Sequence, residues 1–308
     1  MTGRPAQGWL RSLRPRRVVA VIALALTLPA WRLPQPLRDW FPGGRGPVAV
    51  GPPPAPLPRD DAETCAACHA DIAAEWRASA HAQSWLDPLF QVSYRREPLA
   101  FCRHCHAPRM RPGDEQPDPQ AQQEGVSCAV CHVREGHVHA SRQSPSDAPP
   151  RAHPHAFRRQ ALLATSAFCA GCHQFDFPVQ GPHGARVAPS GEAMQDTFGE
   201  WSRSNAARAG QHCQDCHMPL RRNAAGRAWR SHDFRILRDA ARLRAAVTVS
   251  VHITTHPLTA HATLSTATIG HAFPTGDLFR QAVWEIEIDR RPETLRAVRL
   301  TRHYTRAP

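Results

Sequence analysis

The sequence predicts a mainly α chain with much irregular structure, followed by a small β-rich C-terminal domain. Three observations predict it. A five-residue motif, C-x-x-C-H, recurs five times between residues 65 and 217. The stretches between copies are broken by proline, glycine and polar runs such as RPGDEQPDPQAQQE and SRQSPSDAPPRAHP, leaving room for only short helices. Beyond residue 240 the texture changes. Val247, Val249, Val251 and Ile253 alternate with Thr248, Ser250, His252 and Thr254, and Trp284, Ile286 and Ile288 alternate with Glu285, Glu287 and Asp289, the period of half-buried strands.

Residues 1–30 come first. MTGRPAQGWLRSLRPRR holds five arginines and no acid, and the apolar run from Val18 to Ala30 is thirteen residues long. That pairing is the charged and apolar halves of an export signal. The run falls short of the about 20 residues a membrane-spanning helix needs. No clean A-x-A cleavage site follows, so the segment reads as a signal peptide or a signal anchor at the membrane. Residues 31–64 carry nine prolines and read as an extended linker.

The third segment, 65–240, holds the motifs: Cys65–Cys68–His69, Cys102–Cys105–His106, Cys128–Cys131–His132, Cys169–Cys172–His173 and Cys213–Cys216–His217. All ten cysteines are used. C-x-x-C-H is the attachment sequence of haem c. On one helical turn, positions i, i+3 and i+4 share a face, so two sulfurs can bond the haem vinyl groups while the histidine ligates the iron from the same side. Five covalent haems are therefore expected, with His69, His106, His132, His173 and His217 as proximal iron ligands. Structural zinc leaves the fivefold histidine unexplained, and five motifs do not pair evenly into four-cysteine sites. Disulfides leave the same histidines unexplained.

Helices are predicted at 71–82, 158–170 and 197–209, where breakers are fewest. Aliphatic periodicity is sparse, so the interior of 65–240 must come largely from porphyrin, and this domain is expected to be unfolded without haem. The fourth segment, 241–308, is expected to be the small β-rich domain, whose sheet the chain end can leave incomplete.

Formal net charge is +12 and every basic residue is arginine. A basic balance ordinarily suggests nucleic acid. Removing the five arginines of the leader leaves +7, and ten haem propionates offset by ferric iron bring the mature protein near neutrality, because bound ions count in the electrostatics. No nucleic-acid partner is expected. Arginines are expected to pair bidentately with propionates.

One internal echo stands out. Glu75-Trp76-Arg77-Ala78-Ser79-Ala80-His81 and Glu200-Trp201-Ser202-Arg203-Ser204-Asn205-Ala206 share E-W-x-x-S, with alanine in the second copy where the first has histidine. Together with CAACHADIAAEWRASAHA, EGVSCAVCH, FCAGCHQFDFP, MQDTFGEWSRS, CQDCHMP and GHAFPTGD, it makes residues 61–280 resemble the multihaem c-type cytochromes related to the tetrahaem electron carrier of ammonia oxidisers and, more distantly, the pentahaem nitrite reductases. The resemblance implies stacked haems, mostly with two histidine ligands, attached after export, hence a periplasmic location or the outer face of the inner membrane.

A methionine sixth ligand raises the potential of a histidine-bound iron. Outside the motifs stand fourteen histidines against four methionines, so bis-histidine ligation at low potential is expected. The family pattern W-x-x-S-x-H implies His81 as a distal ligand. On a continuous helix it would lie about 18 Å from His69 and so serve a neighbouring haem. His232 in SHDF and His271 in GHAFPTG resemble two further family ligands. One of His137 and His139, and one of His153 and His155, would complete the set, with His139 and His155 taken. His104, His212, His252, His256 and His261 read as structural or solvated. Trp76, Trp85 and Trp201 read as packing on haem edges.

Two functions fit. The first is a periplasmic electron carrier between a quinol-linked donor and a terminal reductase. The second is an oxidoreductase acting on a small nitrogen or sulfur oxyanion, such as nitrite, hydroxylamine or tetrathionate, at one open haem. The related nitrite reductases carry C-x-x-C-K, and this chain has no lysine; related hydroxylamine chemistry uses a tyrosine, and Tyr94 and Tyr304 sit in no recognisable equivalent. No catalytic residue is assigned.

Overall fold

The structure is a computed structural model that describes residues 48–49, 51–110, 117–141, 155, 157–180, 187–224, 226, 228–234, 239–266, 268–286 and 296–301. The leader 1–30, part of the Pro-rich linker, His153, His183, His303 and Tyr304 lie outside them. Among the described residues no helix is long and apolar enough to cross a membrane.

Short helices start where a carboxylate can cap them. Asp61 accepts from the Thr64 N–H at 2.7 Å ahead of α1 (Ala62–Ala66). Asp87 accepts from Phe90 at 2.9 Å ahead of α3 (Pro88–Arg96), and Asp118 from Ala121 at 2.7 Å ahead of α5 (Pro119–Glu124). Such caps satisfy amide groups that the first helical turn leaves without partners, and proline is preformed for that turn. Between them run α2 (Ala70–Arg77) and α4 (Ala100–His106). Four of the motif histidines, at 106, 132, 173 and 217, are the last residues of α4, α6 (Cys128–His132), α7 (Ser166–His173) and α10 (Cys213–His217). His69 instead stands at the N-terminal boundary of α2.

Each helix predicted from sequence is shorter here, and in two of the three a serine is the reason. The 71–82 stretch stops at Arg77. Ser79 donates its N–H to the Trp76 carbonyl at 2.8 Å and accepts from the Ala82 N–H at 3.3 Å, opening a new turn. The 197–209 stretch splits into α8 (Thr197–Ser202) and α9 (Asn205–Arg208), with Ser204 capping the second piece through the Ala207 N–H at 3.2 Å. The 158–170 stretch begins as a strand, Phe157–Arg159, passes a 3-10 turn, Ala161–Ala164, and becomes helical only at Ser166. Short hydroxyl side chains compete with the helix for backbone groups.

The E-W-x-x-S echo is a structural repeat. Trp76 Nε1 donates to the Val126 carbonyl at 2.8 Å, and the Val126 N–H donates to the His81 carbonyl at 2.9 Å. Trp201 Nε1 donates to the Gln211 carbonyl at 2.9 Å, and the Gln211 N–H donates to the Ala206 carbonyl at 2.9 Å. Val126 and Gln211 each lie two residues before the first cysteine of a motif, and each follows a glycine of positive φ, Gly125 at 55° and Gly210 at 71°. The repeat therefore fixes the entry of the chain into α6 and α10.

At the C-terminal side, β1 (Val247–Thr255) pairs antiparallel with β2 (Leu258–Thr266), and β3 (Gln281–Ile286) with β4 (Arg296–Thr301). The alternation of Val249, Val251 and Ile253 predicts a buried face. Here these side chains are 57%, 61% and 61% exposed, because the sheet has two strands and nothing in the described residues packs over them.

Of eleven buried apolar residues among those described, seven are alanine and none is leucine or isoleucine. Protein interiors normally rest on large aliphatic side chains. The two small clusters gather around aromatics, Trp76 with Ala62 and Ala82, and Trp85 with Tyr94 and Ala107. Cys128 packs on the first cluster and Cys102 on the second.

The two repeat glycines predict different costs. A Cβ on Gly125 would collide with Ser84 Oγ and sit 2.7 Å from the His81 carbonyl, whereas one on Gly210 meets nothing within 4 Å. Gly125→Ala is expected to destabilise by roughly 3 kcal/mol, and Gly210→Ala by about 1 kcal/mol, the cost of its backbone conformation alone. Denaturant unfolding of the haem-loaded protein measures both, and equal losses would contradict the packing difference.

Candidate functional site

The ten cysteines are all free of disulfide bonds. Three cysteines lie beside a cysteine of another motif: Cys65 beside Cys128, Cys169 beside Cys213, and Cys105 beside Cys172. These contacts join the first motif to the third, the fourth to the fifth, and the second to the fourth.

The motif histidines do not stand alone. His69 faces His155 with ring centres 6.4 Å apart, and His173 faces His81 at 6.2 Å. His132 faces His232 at 6.2 Å, and His217 faces His271 at 6.1 Å. Two imidazoles that each bind one metal through nitrogen at roughly 2 Å from opposite sides hold their ring centres about 6 Å apart. The four separations fall at that spacing. They are too wide for direct ring stacking and too uniform for unrelated packing. The residues present thus fit haem: free sulfurs on one helical turn, and a paired histidine across a gap.

Tautomers are set by hydrogen bonds on the other ring nitrogen. His132 Nδ1 lies 2.8 Å from the His139 carbonyl, His232 Nδ1 2.7 Å from the Arg230 carbonyl, and His271 Nδ1 2.9 Å from the Ala272 carbonyl. His106 Nδ1 lies 2.7 Å from the Ser84 carbonyl and His173 Nδ1 3.1 Å from Gln195 Oε1. A carbonyl can only accept, so Nδ1 carries the proton and Nε2 keeps the lone pair a metal needs.

Charge is excluded as well. Burial, and then the neighbouring His173, His217 and His232, push His81 down to about 3. Burial, then His271 and His173, takes His217 to about 4, and burial with His132 takes His232 to about 4. Burial also lowers His132, His173 and His106. At neutral pH these rings are uncharged, which is the ligand form. The same interactions order the pairs: His232 senses His69 as well as His132, and His81 senses both His232 and His217.

His106 differs. The ring against it is Phe90, stacked at 3.6 Å and 7°, and among the described residues no histidine ring is paired with it. His139, expected from sequence as a distal ligand, gives its backbone carbonyl to His132 Nδ1. His155, the other member of the ambiguous loop pair chosen from sequence, is brought opposite His69. His212 bonds Ser166 through Nδ1 at 3.3 Å, a structural role. Trp76 and Trp201 brace the backbone through their Nε1 groups, and Trp85 packs with Phe90 and Tyr94. Phe90 was invisible to motif reading, since its only signal is a place three residues after a capping Asp87.

Residues 64–133 match the family of cytochrome c554 and c-prime. The match takes in the first three motifs and supports a multihaem c-type cytochrome family. Such cytochromes carry covalently bound haem c and act in electron transfer. Comparison with curated proteins and with solved structures gives no match.

The ring pairs separate His155 from His139 experimentally. His155→Ala is expected to convert one ferric haem from low to high spin, while His139→Ala leaves the spin states as they were, because the atom it supplies is main-chain. Electron paramagnetic resonance of the two purified variants reads this directly, and the opposite pattern would reverse the assignment.

Proposed function

We propose that the protein is a periplasmic pentahaem c-type cytochrome that relays electrons at low potential between a quinol-linked donor and a terminal reductase. The observation that carries the reading is the set of four histidine pairs spaced 6.1 to 6.4 Å apart. When bound, each haem supplies a one-electron couple, and two imidazole ligands keep its potential below that of a histidine–methionine site.

The chain's own part is mechanical. Cysteine sulfurs at 65, 68, 102, 105, 128, 131, 169, 172, 213 and 216 anchor the groups. His132, His173 and His217 are held neutral by burial, and with His69 they face His232, His81, His271 and His155. At those four sites histidines on both sides would leave no coordination position for a substrate, which suits a carrier. Contacts between cysteines of different motifs, and the mutual influence of His69, His132, His232, His81, His173 and His217, support a contiguous series of sites. Close spacing of that kind is what a relay requires. The apolar and arginine-rich leader supports export, with or without an anchor in the inner membrane.

A second reading is favoured by one observation. Among the described residues no histidine ring faces His106, whose ring is stacked on Phe90, and an open iron would stand at the second motif. An oxidoreductase acting on nitrite, hydroxylamine or tetrathionate would work there.

Mass spectrometry of the exported, mature polypeptide is expected to show five added haems, and spin-state spectroscopy four low-spin ferric centres. Steady turnover of nitrite, hydroxylamine or tetrathionate, lost in His106→Ala or a Phe90 variant, would establish the second reading. Carrier function instead predicts electron exchange with small redox proteins and no turnover of those substrates.

A further inference from the structure

The repeat has a third member beside its tryptophan and serine. Glu75 Oε2 accepts from the His232 N–H at 2.8 Å and from Trp229 Nε1 at 3.3 Å. Its other oxygen lies 3.8 Å from Arg221 Nε, and Arg221 also reaches Asp233 at 3.2 Å. The Glu75 side chain is only 18% exposed. In the second copy, Glu200 Oε2 accepts from the Thr275 hydroxyl at 2.6 Å and from the Ala272 N–H at 3.1 Å. Thr275 Oγ1 is in turn 2.9 Å from Thr197 Oγ1. Each glutamate therefore holds the loop that carries one distal histidine, His232 in the first copy and His271 in the second.

The adjacent tryptophan holds the other side of the same pair. Trp76 fixes the segment entering Cys128–His132, and His132 faces His232. Trp201 fixes the segment entering Cys213–His217, and His217 faces His271. Consecutive helical residues point about 100° apart, so one Glu-Trp dipeptide can reach two chain segments at once. Charge-assisted bonds from a carboxylate to backbone N–H groups are the stronger kind.

We propose that Glu75 and Glu200 are positioning residues of a duplicated bracket, in which each Glu-Trp pair sets the distance across one bis-histidine iron site. Glu75 with Trp76 sets His132 against His232, and Glu200 with Trp201 sets His217 against His271. The assignment rests on the bis-histidine reading of these two sites.

The experiment uses the full, exported, haem-loaded protein. If the wild type lacks low-spin haem at the third and fifth motifs, the ligand reading fails before any variant is made, and the bracket falls with it. Given those signals, Glu75→Ala is expected to move one haem's worth of low-spin signal to high spin, and Glu200→Ala a different one. Combining Glu75→Ala with His232→Ala should cause no loss beyond His232→Ala alone, whereas combining it with His271→Ala should give both losses, the logic of a double-mutant cycle. Glu75→Gln and Glu200→Gln, which keep an acceptor oxygen, should stay low-spin with a shifted midpoint potential at that one haem. Should the alanine variants fail to assemble haem, the glutamine variants decide. Wild-type spectra and potentials in the glutamine variants, or a crossed pattern in which Glu75→Ala is silent on top of His271→Ala, would overturn the bracket.

Discussion

An imidazole that is to bind metal must be neutral, locked in one tautomer and aimed with Nε2 outward, and the haem region is organised around that requirement. Backbone carbonyls of Ser84, His139, Arg230 and Ala272 take the Nδ1 protons of His106, His132, His232 and His271. A carbonyl is an acceptor that does not titrate, so the tautomer does not change with pH. Burial does the rest by making the protonated ring costly, most of all at His81. Two such rings facing one another have little to offer each other directly. In the bis-histidine reading proposed above, a metal between them would make the arrangement favourable and would supply cohesion to an interior whose buried residues are largely alanine and serine.

The repeat shows how the requirement is met twice with one device. In both copies a tryptophan N–H and a backbone carbonyl grip the residue two places before a motif cysteine, from the far side of a glycine in a left-handed or otherwise positive-φ conformation. What differs is what the seventh position does. In the first copy it is His81, whose ring faces His173 while its carbonyl receives Val126. In the second it is Ala206, which keeps the carbonyl contact to Gln211, and a Cβ on Gly270 would lie 2.9 Å from its Cβ. A histidine ring at 206 would need the space where Gly270 leads into His271. The ligand at that position and the close approach of the distal loop are therefore alternatives, and each copy has taken one.

The sequence made some of this legible and concealed the rest, for identifiable reasons. The motifs declare the cysteines and proximal histidines because attachment chemistry fixes their spacing. Val247–Thr255 reads as a strand because its alternation is local, but whether a strand is covered depends on distant residues, and here Val249 and Val251 are exposed. Distal ligands come from loops whose reach cannot be read from spacing. His139 and His155 look alike in sequence, yet one offers a carbonyl and the other a ring. Helix ends at Ser79 and Ser204 are equally hidden, since a serine caps only if the next turn is present to be capped. The E-W-x-x-S echo was visible, but its glutamate has meaning only once the loops at 232 and 272 are folded against it.

The second motif is the asymmetric element, and its position bears on what it does. Its contact to the other motifs runs through Cys105 to Cys172, whereas Cys172 also lies near Cys131, and the fourth motif touches the fifth through Cys169 and Cys213. In a series joined this way the second motif is a branch, reached by way of the fourth. Its histidine is stacked on Phe90, which packs in turn with Trp85 and Tyr94. A branch is of little use to a linear relay unless something is exchanged at its end. Under the carrier reading that something is an electron passed to a partner, and under the oxidoreductase reading it is a small ligand. An aromatic cluster on the proximal side serves either, because it fixes the rotation of His106 without occupying the opposite face. The choice between the two functions is therefore confined to one motif, and the bracketed sites at 132 and 217 are common to both.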